Sequence, residues 1–188
     1  MILLSRDDLE RGLQLVVAEL RDRGMSANVR IVGGAALALR YYDRESTYDI
    51  DIAVNLSESD LAEVAEAVAA EQGWSADWLN SAAAKFVPSY GRSVDWVTIH
   101  DEHGIVIQIA PPEALLAMKL RANRPGRDDY DIKVLMAICS LSTVDELEEL
   151  FGEFYPADML SERALKIIAT IQAEGIGEPP PAPAPIRF

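Results

Sequence analysis

Val29-Arg30-Ile31-Val32-Gly33-Gly34-Ala35-Ala36-Leu37, followed by Thr47-Tyr48-Asp49-Ile50-Asp51-Ile52-Ala53-Val54, is the stretch on which the reading of the fold turns. Its first half reads as a short apolar strand, Asn28–Val32, that ends at two glycines and opens into a helix over Ala35–Tyr42, rich in Ala and Leu. Its second half alternates: Ile50, Ile52 and Val54 point one way, and Asp49, Asp51 and Ala53 the other. Residues two apart on a strand share a face, so the spacing predicts that the two carboxylates stand side by side. Such a pair repels itself, and a divalent cation removes the conflict; magnesium takes oxygen ligands and commonly uses one or two carboxylates plus a substrate's phosphates. Glycines after a strand allow a tight turn and let backbone amides approach a phosphate, with the helix N-terminus adding positive potential. Each half has a plainer reading. Acidic pairs are common on exposed strand faces, and two glycines can simply let a helix pack close to the sheet. A strand, Gly-Gly, a helix and then a strand bearing Asp-x-Asp is much more specific than either half.

Ahead of this stretch a helix is predicted over Asp7–Arg23, capped by Ser5, with Leu9, Leu13, Val16, Val17 and Leu20 on one face. A second amphipathic helix is expected over Glu58–Gln72 with Ser57 as cap, followed by an irregular segment, Trp74–Arg92. Val94–Ile99 and Ile105–Ala110 read as a hairpin joined by the five-residue loop His100–Gly104. Four helices are expected after Pro111: Pro112–Asn123, Asp128–Cys139, Thr143–Phe151 with a Thr143/Glu146 capping box, and Ser161–Ala173. Gly175–Phe188, with five prolines, is expected to be a disordered tail. The expected class is α/β (α+β), a mixed sheet backed by helices. Residues 1–111 would form the core, 112–174 a helical part packed on it, and 175–188 the tail.

The chain has 188 residues and is 49% hydrophobic, with a mean hydropathy of +0.04, as expected of a globular protein. No apolar run reaches the ~20 residues of a membrane helix, and the early charges of Met1–Leu13 do not suit a signal peptide. One cysteine, Cys139, excludes an internal disulfide and a cysteine-rich zinc site and suits a cytoplasmic setting. The net charge of −14 excludes a surface that grips nucleic acid globally, so any RNA contact must be a local basic patch. Arg121, Arg124 and Arg127, with Lys119 and Lys133, make such a cluster. His100 and His103 are expected to face water, and Trp74, Trp78 and Trp96 to pack.

Ile31-Val32-Gly33-Gly34 followed by Asp49-Ile50-Asp51 resembles the motif of the polymerase-β-like nucleotidyltransferase superfamily. Further stretches are similar to a bacterial branch related to the AbiEii and MenT toxins, and most closely to the DUF6036 family. They are Val32–Leu39, Asp77-Trp78-Leu79-Asn80, Pro112–Leu120, Arg127-Asp128-Asp129-Tyr130-Asp131-Ile132 and Phe154-Tyr155-Pro156. The resemblance implies a polymerase-β-type fold and an Mg²⁺- or Mn²⁺-dependent enzyme that moves a nucleoside monophosphate from an NTP to an acceptor hydroxyl. It points to a toxin of a toxin–antitoxin system acting on the tRNA 3′ end, with an antitoxin as partner. A small-molecule or protein acceptor, and a non-catalytic binding protein, stand as alternatives. Asp49 and Asp51 would hold the metal, and Gly33 and Gly34 the phosphates.

Lys119 lies among Leu115, Leu116, Met118 and Leu120, where a lysine either snorkels or holds an anion. The resemblance implies that it binds the triphosphate. Asp128 and Asp131 share a helix face; helix-start acidity explains them plainly, while the resemblance implies that they support the lysine or the metal side. Asn80 and Lys85 are candidates to border the pocket. The superfamily's third carboxylate is expected on Ile105–Ile109, where this chain carries Gln108, a poor base, so that either Asp128 or Asp131 would supply the base in this catalytic set or the activity would be weak.

Overall fold

Ser5 opens the first helix as the sequence predicts. In the computed structural model, which describes residues 3–188, α1 (Arg6–Asp22) begins with a capping box. Ser5 Oγ accepts the Asp8 N–H at 3.2 Å, and the Asp8 carboxylate accepts the Ser5 N–H at 2.8 Å, so two amides without helical partners are satisfied. The described residues hold seven α-helices and five strands, a mixed α/β architecture. They divide into two units. The first runs to Lys85 and includes Trp96–Ala110 and Ala182–Phe188; the second comprises Phe86–Asp95 and Pro111–Pro181.

In the first unit, β1 (Ala27–Val32) leads through the glycine pair into α2 (Gly33–Ala36). The regular helix expected over Ala35–Tyr42 instead continues as a π-helical stretch, Leu37–Tyr41, closed by a Tyr42 N–H to Leu37 carbonyl bond of 3.2 Å. The strand expected from Thr47 starts later. β2 is Ile50–Val54, because Thr47 exchanges backbone hydrogen bonds of 2.7 and 2.9 Å with Leu4. Thus Asp51 sits on the strand and Asp49 just ahead of it. α3 (Glu58–Gln72) occupies its expected span, capped by Ser57 and ended by Gly73 at φ +70°. The segment after it, expected to be irregular, holds two short 3-10 turns and β3 (Leu79–Asn80).

The hairpin differs from expectation too. β4 (Val97–Glu102) runs through His100, and only His103 and Gly104 lie between it and β5 (Ile105–Ile109). Both have positive φ, 54° and 78°, the backbone of a tight two-residue connection. A pattern of hydrophobicity could not reveal this, because the added strand residues, His100–Glu102, are polar.

The sheet order is β3-β2-β1-β5-β4, with β1 parallel to β5 and antiparallel to β2. One face carries Ile31, Ile52, Ile107 and Ile109, all buried, and α1 and α3 pack with each other and against β5 and β3. Trp78 is buried there, its Nε1 donating to the Ala65 carbonyl at 2.9 Å. Gly12 makes room for it, since a Cβ at that position would stand 2.6 Å from the indole. The other face carries Arg30, Asp51, Ala53 and Gln108, half-buried.

The second unit contains α4 (Pro112–Ala122), α5 (Asp129–Cys139), α6 (Val144–Phe154) and α7 (Glu162–Glu174). Every residue of Ala114–Leu120 is buried, Lys119 included, and α4 packs on α5 and α6. Phe86–Asp95 belongs here because it is stitched to the end of α6. Arg92 N–H donates to the Glu153 carbonyl at 2.7 Å, and the Tyr155 hydroxyl donates to the Phe86 carbonyl. Gly91, at φ +89°, lies so close to the Glu153 carbonyl that a Cβ would come within 2.3 Å of it. The proline-rich end, Gly175–Phe188, forms neither helix nor strand, and Ala182–Phe188 lies in the first unit.

Candidate functional site

Gly33 takes φ +67°, a conformation strained for any residue with a side chain. The reason lies across the turn: Asp51 Oδ2 is 3.0 Å from where a Cβ on Gly33 would stand. Gly34 makes room for the opposite charge. A Cβ there would meet Thr47 Oγ1 at 3.0 Å and Arg44 Nη1 at 3.2 Å. The glycine pair and Asp51, linked in the sequence only by pattern, are therefore adjacent in space. Val32, the last residue before the turn, pairs with Asp51 across the β1–β2 ladder.

Asp49 and Asp51 are both half-buried. Asn80 Nδ2 donates to Asp49 Oδ2 at 3.2 Å, and Asn80 pairs with Asp51 on the β2–β3 ladder. Asn80 thus borders the carboxylate pair. Two half-buried carboxylates beside a glycine turn suit magnesium, which usually completes its shell with water and phosphate oxygens. No cluster of three or more metal-ligating side chains occurs among the described residues.

Arg44 is a residue the sequence reading missed. Its guanidinium lies against Gly34 and donates to the Ser46 carbonyl. It stands in Tyr42–Tyr48, a loop without periodicity, and the Leu4–Thr47 bridge pins that loop at its far end. No local signal in the sequence could have found it.

Gln108 is on the same sheet face as Asp51, but β1 lies between their strands, and Gln108 is level with Arg30 and Ala53. Two strand spacings are about 10 Å. Its Oε1 accepts from Arg30 Nε at 3.3 Å, and its Nε2 donates to Thr98 Oγ1 at 3.3 Å. Arg30 in turn stacks over Trp96, 5.1 Å from the ring centroid. Gln108 is therefore part of a polar ladder across the sheet.

In the second unit, Lys119 Nζ donates to Asp128 Oδ1 and to Asp131 Oδ2, both at 2.7 Å. Lys119 is 5% exposed, Asp128 0% and Asp131 2%, so the charges are out of water and each requires a partner. Arg124 adds three bonds of 3.0 Å to Asp128, from its backbone N–H, Nε and Nη2. Burial pushes the Asp128 carboxyl up, but the Arg124 hydrogen bond and the Lys119 charge outweigh it and hold the group down at about 2. Two acids face two cations, and the cluster is neutral as a whole.

The basic residues nearby are also engaged. Arg121 reaches Asp158 at 2.8 Å and stacks over Tyr155 at 4.4 Å, and Lys133 pairs with Glu174 at 3.6 Å. Arg127 is exposed. The Cys139 thiol is pushed up to about 12, first by burial and then by Glu113.

Compared with family models, with curated proteins and with solved structures, the chain matches none.

Proposed function

We propose that the first unit binds a nucleoside triphosphate with Mg²⁺ and transfers its nucleoside monophosphate to an acceptor hydroxyl, on a polymerase-β-type nucleotidyltransferase fold. The observation that carries this reading is the placing of Asp51 across from the Gly33 turn, where a side chain on Gly33 would meet it, with Asp49 two residues before it. Magnesium (or Mn²⁺) held by Asp49 and Asp51 would neutralise the triphosphate and lower the pKa of the acceptor hydroxyl. Gly33 and Gly34 keep the turn low enough for phosphate oxygens to approach, and Arg44 supplies a guanidinium at that turn. The Lys119–Asp128–Asp131–Arg124 cluster is assigned the holding together of α4 and α5. The acceptor comes from the resemblance: the tRNA 3′ end, in a toxin paired with an antitoxin. Arg121, Arg124 and Lys133 already pair with acids, so any RNA footprint is small and its salt dependence shallow.

A non-catalytic nucleotide-binding protein is the second reading, supported by Gln108 being tied to Arg30 and Thr98 with no acid in its place. Calorimetry with a non-hydrolysable NTP should show binding that needs Mg²⁺ and is lost in Asp49→Asn/Asp51→Asn. Labelled NTPs offered with total RNA, protein and small molecules should label RNA. Binding without any transfer would favour the second reading, and absence of metal-dependent binding would remove both.

A further inference from the structure

Arg6, Glu10 and Gln14 recur every four residues along α1 and so form one stripe on that helix. Residues near the end of the chain lie along it. Arg6 Nη2 donates to the Ala184 carbonyl, Glu10 Oε1 accepts the Arg187 N–H at 3.1 Å, and Gln14 Nε2 donates to the Arg187 carbonyl at 2.7 Å. The stripe is about 12 Å long, and three residues of polyproline-type backbone cover about 9 Å, so the two run at comparable length. The half-buried positions of the segment are Pro180, Pro183 and Ile186. Their spacing is the three-residue turn of a polyproline II helix. The Phe188 ring centroid lies 4.6 Å from that of His100.

The fit is incomplete in two respects. A cavity of about 510 Å³ remains between Ala182–Ile186 and a wall that includes Leu39, Tyr41, Ile99 and Ile109. Ile99 stands where the β4–β5 register shifts, as a bulge residue turned out of the regular pleat. Among the described residues, Arg6 Nε and His100 Nε2 are buried without a hydrogen-bond partner. His100, expected in a loop facing water, is therefore a half-buried strand residue. A segment that leaves a cavity and two buried polar atoms unmet can be displaced by a better-matched one.

We propose that this face of the first unit is a docking site for an extended proline-rich peptide, filled in cis by Ala182–Phe188. Its occupant in trans is a partner protein carrying a segment of the same chemistry: prolines at three-residue spacing, then an aliphatic, a basic and an aromatic residue. The bonds from Arg6, Glu10 and Gln14 reach only main-chain groups, so they select an extended backbone. Identity is read by the side chains of Pro183, Ile186 and Phe188, as in other polyproline and strand-addition sites. The inference is independent of the nucleotidyltransferase reading.

The test uses a fluorescent peptide of Glu178–Phe188 titrated into two full-length proteins: the wild type, and Pro183→Glu/Ile186→Asp, whose own segment no longer fits. A cis segment acts at millimolar effective concentration, so the variant should bind the peptide about tenfold more tightly than the wild type. A scrambled peptide should bind neither, and adding Arg6→Ala and Gln14→Ala to the variant should remove binding. Equal affinity for both proteins, or no binding to a variant that melts like the wild type, overturns the proposal. A second measurement needs no tail variant: in the wild type the Arg187 amide should exchange about tenfold more slowly than in the free peptide, and Glu10→Ala should erase the difference. Exchange at the free-peptide rate overturns the proposal even if the variant misfolds. A concentration-dependent dimer that Pro183→Glu/Ile186→Asp abolishes would keep the site and make its trans occupant a second copy, overturning the partner assignment.

Discussion

Asp49 with Asp51 in the first unit, and Asp128 with Asp131 in the second, are both carboxylate pairs at short sequence spacing. The first pair is half-buried beside a glycine turn and a neutral amide, Asn80. The second is buried and gripped by the Lys119 ammonium and the Arg124 guanidinium. A carboxylate removed from water must meet its counter-charge within the fold. One still reached by solvent can take a metal ion from it. The two pairs differ in burial and in the groups beside them, and that difference can be tested from both sides.

The largest effect is expected at Lys119. Lys119→Ala leaves two buried acids without their shared partner and should cost about 3–5 kcal/mol in urea unfolding. Lys119→Met combined with Asp128→Asn and Asp131→Asn should recover much of that loss. A cost below about 1 kcal/mol for Lys119→Ala would break the comparison, since a surface pair is worth that little.

The next effect is on the acid limb. Asp128 is held at about 2 in the folded protein, below the ordinary value of 3.8. A folded-state pKa lowered in this way contributes stability that is fully present above about pH 4 and lost as the pH falls toward 2. The contribution is about 2–3 kcal/mol. Chemical denaturation between pH 5 and 2 should show it, and Asp128→Asn should flatten that limb. An unchanged limb in the variant would mean that other acids carry the transition.

Gly33→Ala should have the smallest effect on stability, about 1–2 kcal/mol, from a left-handed backbone that now carries a Cβ. That Cβ would also press on Asp51 Oδ2 at 3.0 Å. Metal-dependent nucleotide binding should therefore fall much further than stability does. Loss of stability with binding intact would show that the turn serves packing alone.

Much of the fold was legible because its signals are local. Ser5, Ser57 and Thr143 cap helices where the sequence places them, and α3 occupies its expected span. The Gly-Gly turn and Asp51 were legible as a pattern, and the structure sets them next to each other. Less visible were elements whose cause is distant in sequence. β2 begins late because Thr47 pairs with Leu4, and Phe86–Asp95 joins the helices because Gly91 and Arg92 meet the end of α6. The His100–Glu102 extension of β4 was hidden because its hydrogen bonds come from β5 and its side chains are polar.

The sequence alone was enough for most of the helices, several of their caps and which residues carry charge, since these follow from periodicity and from hydrogen bonds within a few residues. Which partners those charges meet was set by tertiary contacts. Lys119, Asp128 and Asp131 became a buried cluster closed by the exposed Arg124, Arg44 came to rest on Gly34, and the proline-rich end found a stripe on α1. The worth of a charge depends on its burial and its partner, and both are set by chain segments that meet only after folding.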